Sequence, residues 1–301
     1  MSTEPLPGYR SGFIAVAGRP NVGKSTLVNR IVGRELCIVT PKAQTTRHRI
    51  TAIHTIENAQ MVLQDTPGIH EAATPLNRTL VAAALKALDE TDIILFMVPP
   101  SEAIEAEDAR IIERIKAVGV PAVLAINKVD TIQPPALLPL IDAYSHVHDF
   151  HAIVPISALN GTGVDRLVEV LLGLLPEGPP LFPEDDVSDL PTRFFVGEIV
   201  REQITLKTGE EIPYKTAVVV ESFKEEGGRV VIHADIHVEK DSQKKILIGK
   251  GGQMVKRIGV AARQKIEEFL GQRVRLELFV KVTPHWTRDA KRLEELLDVW
   301  S

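Results

Sequence analysis

Gly18-Arg19-Pro20-Asn21-Val22-Gly23-Lys24-Ser25 has the spacing of a phosphate-binding loop: a glycine, four residues, then Gly-Lys-Ser. Its flanks give that spacing weight. Phe13-Ile14-Ala15-Val16-Ala17 before it is an apolar run of strand length. Residues 26–32 after it place apolar side chains at helical intervals until Gly33 ends the pattern. A loop between a buried strand and a helix start has unpaired backbone N–H groups, and the helix dipole favours an anion there. Gly18 and Gly23 let the backbone turn and approach phosphate, Lys24 has the reach for β- and γ-phosphates, and Ser25 can ligate Mg2+. The alternative is a glycine-rich strand–helix turn with no ligand.

Outward from this loop, strand and helix patterns alternate, which argues for an α/β domain with a mostly parallel sheet covered on both faces. Residues 34–49 are polar, include Pro41 and read as a loop. Residues 50–56 and 59–64 are short strands joined at Glu57-Asn58. Residues 93–98 and 122–126 are almost wholly apolar, as strands buried on both faces must be. Helices are expected over 79–88, 104–118, 135–144 and 164–175, with a last strand at 152–156. Residues 176–191 hold five prolines and Glu184-Asp185-Asp186, the composition of an extended, solvated linker. This sets the expected domains at 9–178 and 192–301, with a linker over 179–191. The second part reads as helix 192–206, strands 215–223 and 229–237, helix 242–248, Gly249-Lys250-Gly251-Gly252, helix 253–270 and strand 273–282. Trp286, Ala290, Leu293, Leu297 and Trp300 fall at steps of four and three, one face of a terminal helix packed on the domain.

A chain of 301 residues suits two such domains. No apolar run has membrane-span length, and residues 1–10 lack the basic-then-apolar order of a secretion signal. Cys37 is the single cysteine, so no internal disulfide is possible, which fits a reducing cytosol. The net charge of −5 conceals an asymmetry: residues 1–190 carry −8 and residues 191–301 carry +3. Residues 240–265 hold eight basic side chains against the one acid Asp241, a local patch suited to a polyanion.

The phosphate loop alone does not separate ATP from GTP; Asn127-Lys128-Val129-Asp130 does. It ends a buried strand on the sheet edge where doubly wound folds bind ligands. Asp130 can accept hydrogen bonds from the N1–H and N2–H2 of guanine, whereas adenine would leave that carboxylate unpaired. Asp65-Thr66-Pro67-Gly68 also ends a strand. Asp65 can hold Mg2+ through water, and the Gly68 N–H can meet a γ-phosphate, making the following segment a sensor of that group. Ser157-Ala158-Leu159 can offer a backbone N–H to guanine O6. His146, His148, Asp149 and His151 are dense enough for a metal site, but a polar loop is the simpler reading.

In this order the four segments resemble a translation-factor-class GTPase. Gln44-Thr45-Thr46-Arg47, Asp65-Thr66-Pro67-Gly68-Ile69-His70 and Asn127-Lys128-Val129-Asp130, followed by Gly249-Lys250-Gly251-Gly252, resemble the bacterial Era GTPase family over nearly the whole chain. The resemblance implies a P-loop NTPase G domain with a doubly wound, mostly parallel six-stranded sheet, followed by a smaller α+β type II KH domain. It implies GTP/GDP and Mg2+ bound by residues 18–26 (through Thr26), 65–69, 127–130 and 157–159. Ser25, Asp65 and a switch-loop threonine would be the metal ligands; Thr46 is the closer match and Thr45 its rival. Lys24, Thr46, Asp65, Gly68 and Asn21 would carry the chemistry. Ras-like GTPases orient the attacking water with a glutamine where this chain has Ile69, so no side chain at residue 69 can do so. His70 is a substitute in position only. In related GTPases, an asparagine placed as Asn21 is helps hold K+, which supplies the charge an arginine finger otherwise would.

The resemblance makes Gly249-Lys250-Gly251-Gly252 a KH loop that clamps about four single-stranded nucleotides, with Lys244, Lys245, Lys250, Lys256 and Arg257 on the phosphates. The implied partners are the 3′ end of 16S ribosomal RNA and the 30S subunit, for a monomeric cytoplasmic protein with peripheral association with the inner membrane face. A rival reading keeps the fold and drops the turnover, leaving an RNA-binding module whose nucleotide site only senses. A GTPase of tRNA modification would need a further catalytic domain or a reactive C-terminal cysteine, and Cys37 is far from that end.

Overall fold

The apolar runs of the N-terminal half form the middle of a six-stranded sheet. The computed structural model describes residues 8–101, 103–209 and 211–297. In chain order the first half consists of β1 (Arg10–Ala17), α1 (Lys24–Val32), β2 (Ile50–Ile56), β3 (Ala59–Asp65), α2 (Pro75–Asp89), β4 (Ile93–Val98), α3 (Ala106–Val118), β5 (Ala122–Ile126), α4 (Leu137–Val147), β6 (Ala152–Pro155) and α5 (Val164–Leu174). The strand order is β2-β3-β1-β4-β5-β6, and only β2 runs antiparallel to its neighbour. Ala15, Ala17, Ile94, Phe96, Val98, Leu124 and Ile126 pack with residues of α2, α3 and α4. The alternate residues Ile14, Val16, Leu95, Met97, Val123 and Ala125 are equally buried. Both faces of these strands are therefore removed from water, which is why they carry no polar alternation.

The order reverses beside β1, whose neighbours β3 and β4 both lie parallel to it. That reversal opens a crevice at the carboxyl ends of the strands. β1, β3 and β5 deliver Gly18, Asp65 and Asn127 to the same edge.

Helix α2 begins four residues earlier than the expected residue 79. Thr74 Oγ1 accepts the Asn77 N–H at 3.1 Å, and Pro75 occupies the first helical position, where its missing N–H costs nothing. The stretch after α5 is exposed along most of its length but is not free. Ser11 N–H donates to Pro176 O and Gly178 N–H to Tyr9 O, both at 3.1 Å. Gln60 Oε1 accepts the N–H groups of Leu181 and Phe182, and Ile53 N–H donates to Val187 O at 2.9 Å. The prolines keep the segment extended, and sheet residues supply the bonds that pin it.

The second half consists of α6 (Thr192–Lys207), β7 (Ala217–Glu226), β8 (Arg229–Val238), α7 (Asp241–Ile248), α8 (Gln253–Leu270), β9 (Val274–Val282) and α9 (Ala290–Leu297). β8 lies between antiparallel β7 and parallel β9. Even-numbered β8 residues from Val230 to Val238 join Leu247 of α7, Ile258, Ala262 and Ile266 of α8 and Val196, Ile199 and Val200 of α6 in one core. Trp286 lies ahead of α9 instead of on its face. It is fully buried, with Nε1–H donating to Lys215 O at 3.2 Å. Leu293 and Leu297 are buried as expected, and Trp300 lies outside the described residues.

Packing divides the chain into two units: the described residues to Cys37 with Thr46–Ala72 and Arg78–Asp189, and Ile38–Thr45 and Ala73–Asn77 with the described residues from Leu190. Within the second unit, Lys42 Nζ donates to Thr205 O (2.8 Å) and Thr208 O at the end of α6, and Arg201 donates to Thr45 O. No helix among the described residues is long and apolar enough to cross a membrane.

Candidate functional site

The phosphate loop spans the turn from β1 into α1. Lys24 is buried, and its Nζ donates to the carbonyls of Gly18 (3.1 Å) and Arg19 (2.9 Å). Burial holds its ammonium down to about 8, against the opposing pull of Asp65. A lysine kept in so dry a place, with only neutral carbonyls as partners, is primed for an anion.

Three candidate metal ligands meet beside it. Ser25 Oγ donates to Asp65 Oδ2 at 2.6 Å, the Thr46 hydroxyl lies 2.9 Å from Ser25 Oγ, and Thr46 Oγ1 donates to Asp65 Oδ2 at 3.3 Å. Asp65 is fully buried, and its Oδ1 has no hydrogen-bond donor. Burial pushes its carboxyl up, with Lys24 and the Ser25 hydroxyl opposing. Two hydroxyls and an orphaned carboxylate oxygen form a hard oxygen set that suits Mg2+. Thr46, not Thr45, stands in it: Thr45 Oγ1 donates to Lys42 O instead.

Gly68 lies against the phosphate loop; a Cβ there would sit 2.5 Å from Pro20 N. Ile69 N–H donates to Gly18 O at 3.1 Å, and the Ile69 side chain belongs to the core shared with α2, α3 and α4. His70 is half-buried, its Nδ1 2.7 Å from Gly68 O. Thr66 is buried and donates to Val16 O, a structural bond.

Asn127 joins the phosphate and base-binding segments. Its Nδ2 donates to Val22 O (2.7 Å), and its Oδ1 accepts the Ala158 N–H (2.8 Å). The approach is close enough that a Cβ on Gly23 would collide with Asn127 Nδ2. Lys128 Nζ donates to Asn21 O at 2.7 Å, and Val129 N–H to Ile156 O. Asp130 is exposed at the mouth of this edge. Ser157 N–H is used by Thr162 O, while Leu159 is exposed. Sequence reasoning missed Arg30 of α1, whose guanidinium donates to Ala158 O (2.6 Å) and Leu159 O and so holds this loop. It also missed Asn29, whose amide bonds Leu36 N, Cys37 N and Cys37 O at the start of the first switch loop. Neither residue belongs to a local pattern that announces these bonds.

In the second unit, Gly249, Gly251 and Gly252 take φ values of 71°, 59° and 77° between α7 and α8. Lys245, Lys250, Lys256 and Arg257 are exposed and Lys244 is half-buried. None of these five side chains has a hydrogen bond or ion pair among the described residues. Ile246, beside them, is 53% exposed. Uncompensated cations and an apolar side chain around an open backbone loop form a surface suited to a nucleic-acid strand.

His146, His148, Asp149 and His151 do not converge: His146 Nδ1 lies on its own helix near Asp142 O, and His148 packs edge-on to Phe150. Among the described residues the one trio of possible metal ligands is Glu221, Asp235 and His237, and the Lys281 ammonium already sits against Asp235.

A family model described as a 50S ribosome-binding GTPase matches residues 13–128, and one described as a KH domain matches residues 211–287. The protein named GTPase Era of Geotalea uraniireducens (strain Rf4) is 50% identical over 288 residues, covering 95% of this chain and 97% of the relative. That of Syntrophus aciditrophicus (strain SB) is 50% identical over 289 residues, covering 95% and 94%. A crystal structure of an Aquifex aeolicus Era variant bound to GDP and aluminium fluoride superposes with TM-score 0.92 at 42% identity, over 96% of this chain and 99% of that one. A structure of Era with MgGDPNP and nucleotides 1506–1542 of 16S ribosomal RNA gives 0.93 at 43% identity with the same coverage.

Proposed function

The chain belongs to the Era GTPase family, and from that premise we propose how its residues divide the work of a GTP-hydrolysing switch that grips 16S ribosomal RNA and acts in assembly of the 30S subunit. Lys24 and the N–H groups of residues 18–26 bind the β- and γ-phosphates. Ser25, Thr46 and Asp65 hold Mg2+, which when bound neutralises charge on the phosphate oxygens. Gly68 N–H meets the γ-phosphate, and Asp130 reads the guanine edge. Water attacks in line, and Ile69, packed into the core, has no part in orienting it. Asn21 would help hold K+, which would supply positive charge at the phosphates that no side chain at residue 69 provides. Loss of the γ-phosphate frees residues 40–49 and 69–79.

One observation carries this reading: Asn127 bonds both the phosphate loop and the Ser157–Leu159 segment, so one ligand reaching from base to phosphate spans both. The test is multiple-turnover phosphate release from GTP, with ATP as control, in K+ and in Na+. Turnover on GTP alone supports the reading; single-turnover binding without release supports a sensing module instead. Equal rates in the two salts remove Asn21 from the mechanism. On the RNA side, Lys244, Lys245, Lys250, Lys256 and Arg257 contact phosphates around the Gly249–Gly252 loop. We propose further a cytoplasmic monomer with peripheral contact to the inner membrane face, which sedimentation and fractionation test.

A further inference from the structure

Arg19, inside the phosphate loop, is engaged from behind. Its Nε donates to Asp108 Oδ1 at 2.9 Å. Asp108 stands in the first turn of α3 and is fully buried. Its other oxygen, Oδ2, accepts from Tyr144 Oη of α4 at 3.3 Å, and Tyr144 is itself fully buried with its ring edge-on to Phe96 of β4. Both carboxylate oxygens are thus satisfied, and the charge lies near a helix N-terminus, where the dipole favours it. Burial pushes the Asp108 carboxyl up, and Arg19 opposes that.

What this chain of bonds holds is the 18–19 peptide. Gly18 O accepts both Lys24 Nζ and Ile69 N–H, and Arg19 O accepts Lys24 Nζ. The lysine that meets phosphate and the residue after Gly68 both take their positions from this one stretch of backbone.

We propose that Asp108 is a positioning residue for the phosphate loop: through Arg19, and braced by Tyr144, it fixes the carbonyls from which Lys24 and the Gly68 segment are set. Arg19 is thereby committed to α3 and supplies no charge to the phosphates. The proposal rests on residues 18–25 being the phosphate loop. Failure of that premise shows separately, as a parent protein that binds no GDP.

The test is the GDP dissociation constant of the full chain by fluorescent-nucleotide titration, with thermal unfolding of each variant. Removing one partner of a buried pair leaves the other uncompensated, so Asp108→Asn and Arg19→Ala are each expected to weaken GDP binding by about tenfold. Tyr144→Phe, which removes one long bond, is expected to weaken it by about twofold. The double variant Arg19→Ala/Asp108→Asn binds no more weakly than Arg19→Ala alone, because both act through one ion pair. A purely structural role would lower the melting temperature and leave the GDP affinity of Asp108→Asn and Arg19→Ala within twofold of the parent; that result overturns the proposal. So does a double variant whose losses multiply. Should Asp108→Asn fail to fold, Arg19→Ala and Tyr144→Phe decide alone: non-multiplying losses support the proposal, and multiplying or absent losses overturn it.

Discussion

Asn127→Ala is the substitution whose consequence the geometry sets most closely. The side chain is 2% exposed and makes two bonds, 2.7 Å to Val22 O and 2.8 Å from Ala158 N. Alanine removes both partners at once and leaves a carbonyl and an N–H that burial keeps from full hydration. Each orphaned group costs about 1–3 kcal/mol, so the pair costs roughly 2–4 kcal/mol over the lower to middle part of that range. For a unit of this size that lowers the melting temperature by about 5–15 °C. Saturating GDP raises the parent's stability by mass action, about 2.7 kcal/mol at a hundredfold excess over the dissociation constant. In the variant that increment shrinks, since the loops that receive base and phosphate are no longer tied. Asn127→Asp sharpens the test. It keeps the acceptor for Ala158 N but aims an anionic oxygen at Val22 O, so despite near-identical shape it should be no better than alanine. The assay is thermal unfolding with and without GDP. An alanine variant that melts within about 2 °C of the parent and keeps its full GDP increment would refute the argument.

Gly68→Ala places a methyl group 2.5 Å from Pro20 N, so one loop must move; GTP hydrolysis should fall by at least about a hundredfold, read as phosphate release, with folding intact. The pH dependence of the nucleotide-free protein should show Lys24. Its folded value, about 8, lies below the usual lysine value of 10.5, so between these pH values the unfolded chain binds the extra proton and stability rises with pH; unfolding of the parent against Lys24→Met from pH 7 to 10 reads this difference, which should vanish when GTP pairs the ammonium. Charge reversal at Lys250 and Lys256 should weaken RNA binding and flatten its salt dependence by about one unit of slope for each phosphate left unneutralised.

Much of this could be read in advance where local chemistry leaves one solution. Residues 93–98 and 122–126 had to be central strands because nothing polar interrupts them. Helix α8 could be bounded at both ends by glycine, and the phosphate loop by its own spacing. What was not legible depends on partners distant in sequence. Residues 176–189 look like a free spacer by composition, yet Gln60 and Ile53 pin them. Lys42 and Thr45 read as parts of a nucleotide-sensing loop, yet packing groups them with α6. Asp108 looks like an ordinary acid in the first turn of a helix; only the fold brings Arg19 and Tyr144 to it. Helix α2 is a different case, because Thr74 and Pro75 do signal its start and the polar residues around them masked it.

The most direct single measurement is anisotropy of a labelled single-stranded RNA copying the 3′ end of 16S ribosomal RNA, titrated with protein in a non-hydrolysable GTP analogue or in GDP. The account predicts tighter binding with the GTP analogue, abolished when Lys250 and Lys256 are replaced by glutamate. Equal affinity in both nucleotides, or a charge-reversed protein that binds as well as the parent, would contradict it.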